Sequence, residues 1–272
     1  MVSDERRVAV DAACAAGRVL RDALTSARRV SFKGTPTNLV TEMDAHAERL
    51  IADRLRAAFP RDAMLGEEGG PTPGTSGRRW IVDPLDGTTN YAHGLPIFGV
   101  SIALESAGRS VLGVIYDPNL DELFVAERGA GAWLGDRRLR VSAAATLNDS
   151  LLATGFPYNV RETADNNLAE YSAFTLRAQG VRRIGSAVIY LAYVAAGRLD
   201  GYWELRLGPW DVAAGAVLVE EAGGRITSLT GGALDLDAPT VVASNGTIHD
   251  EMLRVLAQAR TSRSDVPGRL DR

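Results

Sequence analysis

The stretch Trp80-Ile81-Val82-Asp83-Pro84-Leu85-Asp86-Gly87-Thr88 constrains this chain more than any other. An apolar run rich in strand formers leads into two carboxylates three positions apart, and such a run reads as a buried strand. Acids beside a buried strand are costly unless something neutralises them. Pro84 fixes one φ angle between them, and Gly87 lets the backbone come close to a ligand. Hard divalent cations choose oxygen ligands, and phosphoryl groups choose backbone N–H groups together with a metal. One short segment offers both, so it reads as the floor of a site for a cation and a phosphoryl group.

Composition narrows the rest. The chain has 272 residues, enough to bury a sizeable core in one or two domains. An apolar fraction of 46% with 24% charged residues is ordinary for a soluble globular protein. The net charge of -4 supplies no basic field, so no nucleic-acid partner is expected. The single cysteine, Cys14, excludes an internal disulfide and reads as buried filler in an Ala-rich helix. Met1 to Arg7 is charged and lacks an apolar core, so no signal peptide is expected. No apolar run is long enough to span a bilayer, which points to no membrane and a cytoplasmic location. None of His46, His93 and His249 pairs with an acid at metal-ligand spacing; all read as surface or packing residues.

Periodicity outlines the elements. Val8, Ala12, Ala15, Val19 and Ala23 recur at helical spacing across residues 4–26. A polar loop is expected from Ser31 to Asn38. A second helix is expected from Asp44 to Phe59, with Ala47, Leu50, Ile51, Leu55 and Ala58 on one face and Pro60 ending it. Met64-Leu65 reads as a strand and Pro71 to Gly77 as an exposed loop. Runs at Phe98–Leu104, Val111–Tyr116 and Leu123–Ala126 predict an antiparallel meander. Beyond Ala145 strands and helices alternate: Leu151–Thr154, Asn166–Ala178, Val181–Ile184, Ala187–Ala196, Leu199–Trp203, Trp210–Ala222, Thr240–Ala243 and His249–Ala259. That pattern predicts a layered α/β half. The expected organisation is an N-terminal α+β subdomain (1–145), a C-terminal α/β subdomain (146–260) and a frayed tail (261–272).

Four segments place acids at strand ends or helix starts: Lys33…Asp44, Gly66-Glu67-Glu68, Asp83 to Asn90, and Glu204…Trp210-Asp211. If Glu67, Asp83, Asp86 and Asp211 converge, each close pair repels by up to ~4 kcal/mol at ~4 Å and an effective dielectric of ~20. Lys33 alone could not offset four such charges. Either several acids stay protonated or divalent cations neutralise them.

Trp80 to Tyr91 resembles the first signature of the inositol monophosphatase family. Trp210-Asp211-Val212-Ala213-Ala214-Gly215, with Glu220-Ala222-Gly223-Gly224 downstream, resembles the second. Gly66-Glu67-Glu68, and Lys33 eleven residues before Asp44, match the remaining site segments. The likeness runs from the first helix to about Ala259. It implies a layered α-β-α-β-α sandwich of the inositol monophosphatase and fructose-1,6-bisphosphatase type. It implies two to three Mg²⁺ ions, one held by Glu67, Asp83 and the Leu85 carbonyl and a second by Asp83, Asp86 and Asp211. A weaker third would sit by Glu67. Glu67 and the Thr88 hydroxyl would orient the attacking water, with Asp83 bridging the ions, and the Gly87 and Thr88 N–H groups would cradle phosphate. Glu204, with Gly185-Ser186-Ala187 lining the same pocket, would accept hydroxyls of a sugar alcohol. Lys33, Asp44 and Glu68 would be auxiliary.

The implied activity is Mg²⁺-dependent hydrolysis of a small sugar or polyol phosphate, first of all inositol 1-phosphate. Fructose 1,6-bisphosphate and histidinol phosphate are the runners-up. A homodimer and inhibition by Li⁺ are implied as well. Arg206, in Arg206-Leu207-Gly208-Pro209, is placed to meet a second anionic group, which loosens strict inositol specificity. Two rivals are weaker. A haloacid-dehalogenase-type phosphatase wants its two acids two apart, not three. Gly129-Ala130-Gly131 suggests a nucleotide loop but opens no helix. A regulatory or interaction protein that merely retains a metal site is the alternative of another class.

Overall fold

The computed structural model describes residues 3–25, 30–32 and 39–264. Helix α1 (Asp4–Ala23) opens on Ser3, whose Oγ accepts the Arg6 N–H at 3.1 Å. Asp4 and Glu5 sit at the positive end of its dipole. Its buried stripe is Ala9, Ala12, Ala13, Ala16 and Leu20. Val8, Ala15 and Val19, expected inside, stay half-buried. Size explains the rotation: Tyr116 packs so tightly here that a Cβ on Gly17 would lie 2.5 Å from its ring. Only the smaller face of the helix can approach that closely. Cys14 is half-buried on the same helix, and burial pushes its thiol up, as suits a packing residue.

Strands β1 (Val30–Phe32) and β2 (Leu39–Thr41) pair antiparallel; β1 takes in Ser31 and Phe32 of the expected loop, and β2 follows directly after it. Lys33 lies outside the described residues. Helix α2 (Glu42–Ala58) begins two residues before the expected Asp44. Thr41 and Asp44 form a capping box: Asp44 Oδ2 accepts the Thr41 N–H at 2.8 Å and its hydroxyl at 2.6 Å. Ala58, expected inside, is exposed.

Strands β3 (Ala63–Gly66), β4 (Gly70–Thr72) and β5 (Arg78–Asp86) are followed by helix α3 (Thr88–Ala92). Then come β6 (Gly99–Ser106), β7 (Arg109–Asp117), β8 (Glu122–Glu127), β9 (Gly131–Leu134) and β10 (Arg137–Arg138). They form one eight-stranded sheet in the order β10-β9-β8-β7-β6-β5-β3-β4. The expected antiparallel meander is β6-β7-β8; β5, β9 and β10 continue it antiparallel on either side, while β3 joins β5 in parallel. Part of the expected 71–77 loop is the edge strand β4, where Pro71 is tolerated. The turn at Gly129-Ala130-Gly131 joins β8 to β9. The N–H groups of Gly129 and Gly131 each donate to the Glu221 carboxylate at 2.8 Å, so its anion is the chain's own.

The second half contributes β11 (Leu151–Thr154), α4 (Leu168–Thr175), β12 (Gly180–Arg182), α5 (Ala187–Ala195) and β13 (Gly201–Glu204). Helix α6 (Pro209–Glu221), β14 (Arg225–Thr227), β15 (Val241–Ser244) and α7 (His249–Ser264) complete it. Its five strands run β12-β11-β13-β15-β14, parallel between β11 and its neighbours and antiparallel elsewhere. Residues 261–264, expected in a frayed tail, extend α7. Among the described residues no helix is long and apolar enough to cross a membrane.

Alternate residues of each sheet face different helix pairs. Trp80 and Val82 pack on α1 and α2; Ile81 faces α5 and α6. Ala153, Tyr202 and Ala243 meet the same central helices from the other side, while Leu152, Trp203 and Val242 pack on α4 and α7. Period-two alternation through both sheets therefore builds the layered α-β-α-β-α sandwich.

His249 is fully buried at the head of α7, with Nδ1 2.9 Å from Ser244 Oγ and Nε2 2.9 Å from Thr227 Oγ1. Burial, helped by Arg225, pushes its ring down to about 4. The folded ring stays neutral where the unfolded one, near pKa ~6.5, takes a proton. Its contribution, about 3 kcal/mol, is therefore complete above pH ~6.5 and is lost as pH falls towards ~4. Urea midpoints should drop between pH 7 and 4.5, and the drop should be smaller in His249→Gln; an unchanged drop would remove His249 as its cause.

Candidate active site

On a flat strand, residues three apart point to opposite faces. Asp83 and Asp86 nevertheless point the same way, because β5 carries a bulge. Asp83 pairs with Ser101 and Asp86 with Gly99, so three steps on β5 match two on β6. The extra residue restores the parity of the two acids. Pro84, which has no N–H to give to the ladder, lies inside this bulge. Gly87 then turns at φ 97, a conformation open to glycine, and a Cβ there would lie 2.9 Å from the Ile97 carbonyl.

Asp211 arrives from the second half. It occupies the first turn of α6, behind Pro209, and its Oδ2 accepts the Gly208 N–H at 2.6 Å. Asp83, Asp86 and Asp211 each offer a carboxylate oxygen, and these atoms lie within 4.8 Å of one another. Asp83 is 1% exposed; the other two are half-buried. Burial pushes the Asp83 carboxyl well above the usual carboxylate range, and the charges of Glu67, Asp86 and Asp211 push it further. The Leu85 N–H, 2.9 Å from Asp83 Oδ1, pulls it back. Burial, Asp86 and Glu67 raise Asp211 as well. Burial raises Asp86 to about 6, although Ser186 Oγ–H and backbone N–H groups at the start of α5 donate to it, Val188 at 2.9 Å. An all-oxygen donor set whose carboxylates are held this close fits a hard divalent cation.

Around this core the remaining expected residues have definite places. Glu67 is half-buried and near enough for its charge to act on Asp83 and Asp211. Thr88 Oγ1 lies 3.0 Å from Asp44 Oδ1 and 3.0 Å from the Leu85 carbonyl, so its one proton is directed at those acceptors. Asp44, 1% exposed, thus caps α2 and braces Thr88. Glu68 contributes its backbone: its N–H and that of Gly69 donate to the two oxygens of Glu48 at 2.8 and 2.7 Å. Gly185 and Ala187 flank the N-cap Ser186 of α5.

Glu204 ends β13. Tyr202 donates its hydroxyl to Glu204 Oε2 at 2.7 Å, and a Cβ on Gly155 would lie 2.0 Å from Oε1. Burial raises this carboxyl to about 7; the Tyr202 hydroxyl and Arg183 lower it, and Asp86 raises it. Tyr158, in the segment after β11, lies near enough to the acids for their charges to act on it. Its hydroxyl is pushed up by desolvation and then by the charges of Asp86, Glu67, Asp211 and Asp83.

Sequence reasoning missed Glu48, Gly155 and Tyr158. A signal existed for Glu48: it falls four residues after Asp44, on the face shared with Ala47 and Ile51. An acid in an apolar stripe needs a partner. Gly155 and Tyr158 leave no such mark, because only the fold brings them to Glu204 and the acids.

Asp83→Asn tests the crowding directly. It keeps an oxygen for the Leu85 N–H and removes one of the clustered charges. In chelator-treated protein the Tm should rise, and the further rise caused by added Mg²⁺ should vanish. A lower metal-free Tm would show that the cluster does not strain the fold.

The model of the inositol monophosphatase family matches residues 1–262. The inositol-1-monophosphatase of Mesorhizobium japonicum is 46% identical over 259 residues, which is 94% of this chain and 97% of that protein. Nus factor SuhB of Pseudomonas aeruginosa is 47% identical over 76% of this chain and 78% of its own length. The solved structure of inositol monophosphatase from Anabaena superposes with a TM-score of 0.85 at 44% identity, covering 93% of this chain and 94% of that one. Signatures, layered fold and converging acids agree with this match along the whole described chain: it belongs to the inositol monophosphatase family, enzymes that hydrolyse phosphate monoesters.

Proposed function

We propose that this protein hydrolyses myo-inositol 1-phosphate to myo-inositol and phosphate with Mg²⁺ as cofactor. The observation that carries the reading is the convergence of Asp83, Asp86 and Asp211 from two distant parts of the chain. Asp83, Asp86, Asp211, Glu67 and the Leu85 carbonyl would hold two to three ions. Bound Mg²⁺ would supply the positive charge that neutralises these acids and the phosphoryl oxygens, and would ease deprotonation of water.

The chain's own groups do the positioning. Thr88, its proton directed at Asp44 or the Leu85 carbonyl, turns lone pairs outward and can accept a hydrogen bond from the attacking water. Glu67 would accept the other proton of that water and fix its line of attack. The N–H groups of Gly87 and Thr88 would receive phosphoryl oxygens. Such positioning and charge stabilisation dominate phosphoryl transfer, which needs little covalent help. Glu204, with one oxygen occupied by Tyr202, would accept ring hydroxyls of the leaving alcohol through the other. Gly185, Ser186 and Ala187 would line that pocket. Inhibition by Li⁺, assembly as a homodimer and two subdomains meeting near Ala145 belong to the same reading.

The Nus factor name of some relatives favours a second reading, an interaction protein that keeps the site. Phosphate release decides between them. Purified protein with Mg²⁺ and inositol 1-phosphate should release phosphate, and Asp83→Asn should lower kcat by at least about a hundredfold. No release at any Mg²⁺ concentration would leave the interaction reading. Glu204→Gln should lose about tenfold more kcat/KM on inositol 1-phosphate than on an aryl phosphate, since only the first offers hydroxyls to lose. Equal losses would remove Glu204 as a polyol ligand.

A further inference from the structure

Tyr202 and Glu204 are two apart on β13, so both side chains leave the same face of the strand. Tyr202 is fully buried, and its hydroxyl donates to Glu204 Oε2 at 2.7 Å. Its ring packs on the ring of Tyr190 in α5, with centroids 5.1 Å apart and planes inclined by 32°. The Tyr190 oxygen accepts two backbone N–H groups, from Ile184 and from Gly185, the second at 2.9 Å. Its acceptor capacity is thus spent on the turn before α5. A core that needed only volume here would be served by phenylalanine. Both hydroxyls are buried, and both are committed to groups of the site.

The carbonyl side of that turn is held as well. Asn90 Nδ2 donates to the Ile184 carbonyl at 2.7 Å and to the Ile97 carbonyl at 2.9 Å. Asn90 lies in α3, two residues after Thr88. Gly185 turns at φ 81, and a Cβ there would lie 3.1 Å from Asn90 Nδ2. The Gly185 carbonyl would in turn lie 3.3 Å from a Cβ on Gly87. The turn is therefore closed against Gly87 and Thr88, whose N–H groups would receive phosphate. A path runs from Glu204 through Tyr202, Tyr190, Ile184-Gly185 and Asn90 to Thr88. Every step is a hydrogen bond, a packed aromatic pair or one turn of helix.

We propose that Tyr202 and Tyr190 are positioning residues that fix the span between the carboxylate for the alcohol and the cradle for the phosphate, and so select the monoester that fits. The inference rests on the phosphatase reading of the same site. There, one substrate places its phosphate at Gly87 and Thr88 and its ring hydroxyls at Glu204, so the span between the two selects the alcohol. Neither tyrosine needs to touch the substrate. Preorganisation of this kind acts on binding of the alcohol, and an ester without hydroxyls is indifferent to it.

Tyr202→Phe and Tyr190→Phe keep both rings and remove one hydroxyl each. Each variant should lose about tenfold in kcat/KM on inositol 1-phosphate, through KM, and little on an aryl phosphate. The double variant should lose less than the product of the two, because either change frees the same span. The pH profile gives a separate reading. The Tyr202 hydroxyl and Arg183 hold the Glu204 carboxyl down, against burial and the charge of Asp86. Preference for the polyol ester needs the carboxylate, so it should set in at higher pH in Tyr202→Phe than in the parent. Equal losses on the two esters, fully multiplicative losses in the double variant, or an unmoved pH midpoint overturns the proposal. Calorimetric binding of both esters with Ca²⁺ in place of Mg²⁺ reads the same ratios without turnover. If the parent binds the esters but releases phosphate from neither, the phosphatase reading fails, and the binding ratios still decide what the tyrosines do. No binding of inositol 1-phosphate by the parent overturns both.

Discussion

Asp83 carries the tension on which the site is built. It is 1% exposed, faces two other aspartates and feels Glu67, and one backbone N–H answers it directly. Burying one carboxylate without a counter-charge is already expensive. Burying it among like charges is tolerable only where protons or cations enter with it. The surrounding chain softens the crowding with helix starts. Asp211 lies in the first turn of α6, Asp44 in that of α2, and Asp86 accepts N–H groups at the head of α5. Partial positive charge at each helix start offsets part of the repulsion. It does not remove it, because Asp83, Asp86 and Asp211 all remain raised. A site left this unsatisfied is ready for a divalent ion.

Much of this was legible in the sequence, for reasons that differ by element. Strands β6, β7 and β8 show as apolar runs bounded by turn residues, and α5 and α6 follow their apolar content. The acids were legible because carboxylates beside buried strands are unusual. What stayed hidden depends on parity and close approach. Spacing alone places Asp83 and Asp86 on opposite faces, and only the register shift against β6 reverses that. The stripe of α1 was misplaced because Tyr116 selects the smallest face of the helix, which composition alone does not reveal. Strands β4, β10 and β14 carry proline or arginine within two or three residues and leave too little apolar pattern to read, whereas β11 and β15, four residues each, are mostly apolar runs.

Helix α2 explains why residues far apart in the chain meet with useful accuracy. Asp44 and Glu48 are one turn apart on its buried face. Asp44 holds the Thr88 hydroxyl, and Glu48 holds the two N–H groups that follow Glu67. One rigid helix thus sets the spacing between the loop carrying Glu67 and the turn carrying Thr88. Neither acid needs to touch a substrate to matter. Removing one would leave buried donors unmet at about 1–3 kcal/mol each and would free its loop. An acid is the suitable residue at both places because the groups to be held are donors. A carboxylate offers two acceptor oxygens, so Asp44 can cap its helix through one and brace Thr88 through the other. The apolar stripe of α2 therefore docks the helix on the sheet, while the two acids within that stripe set the geometry of the site.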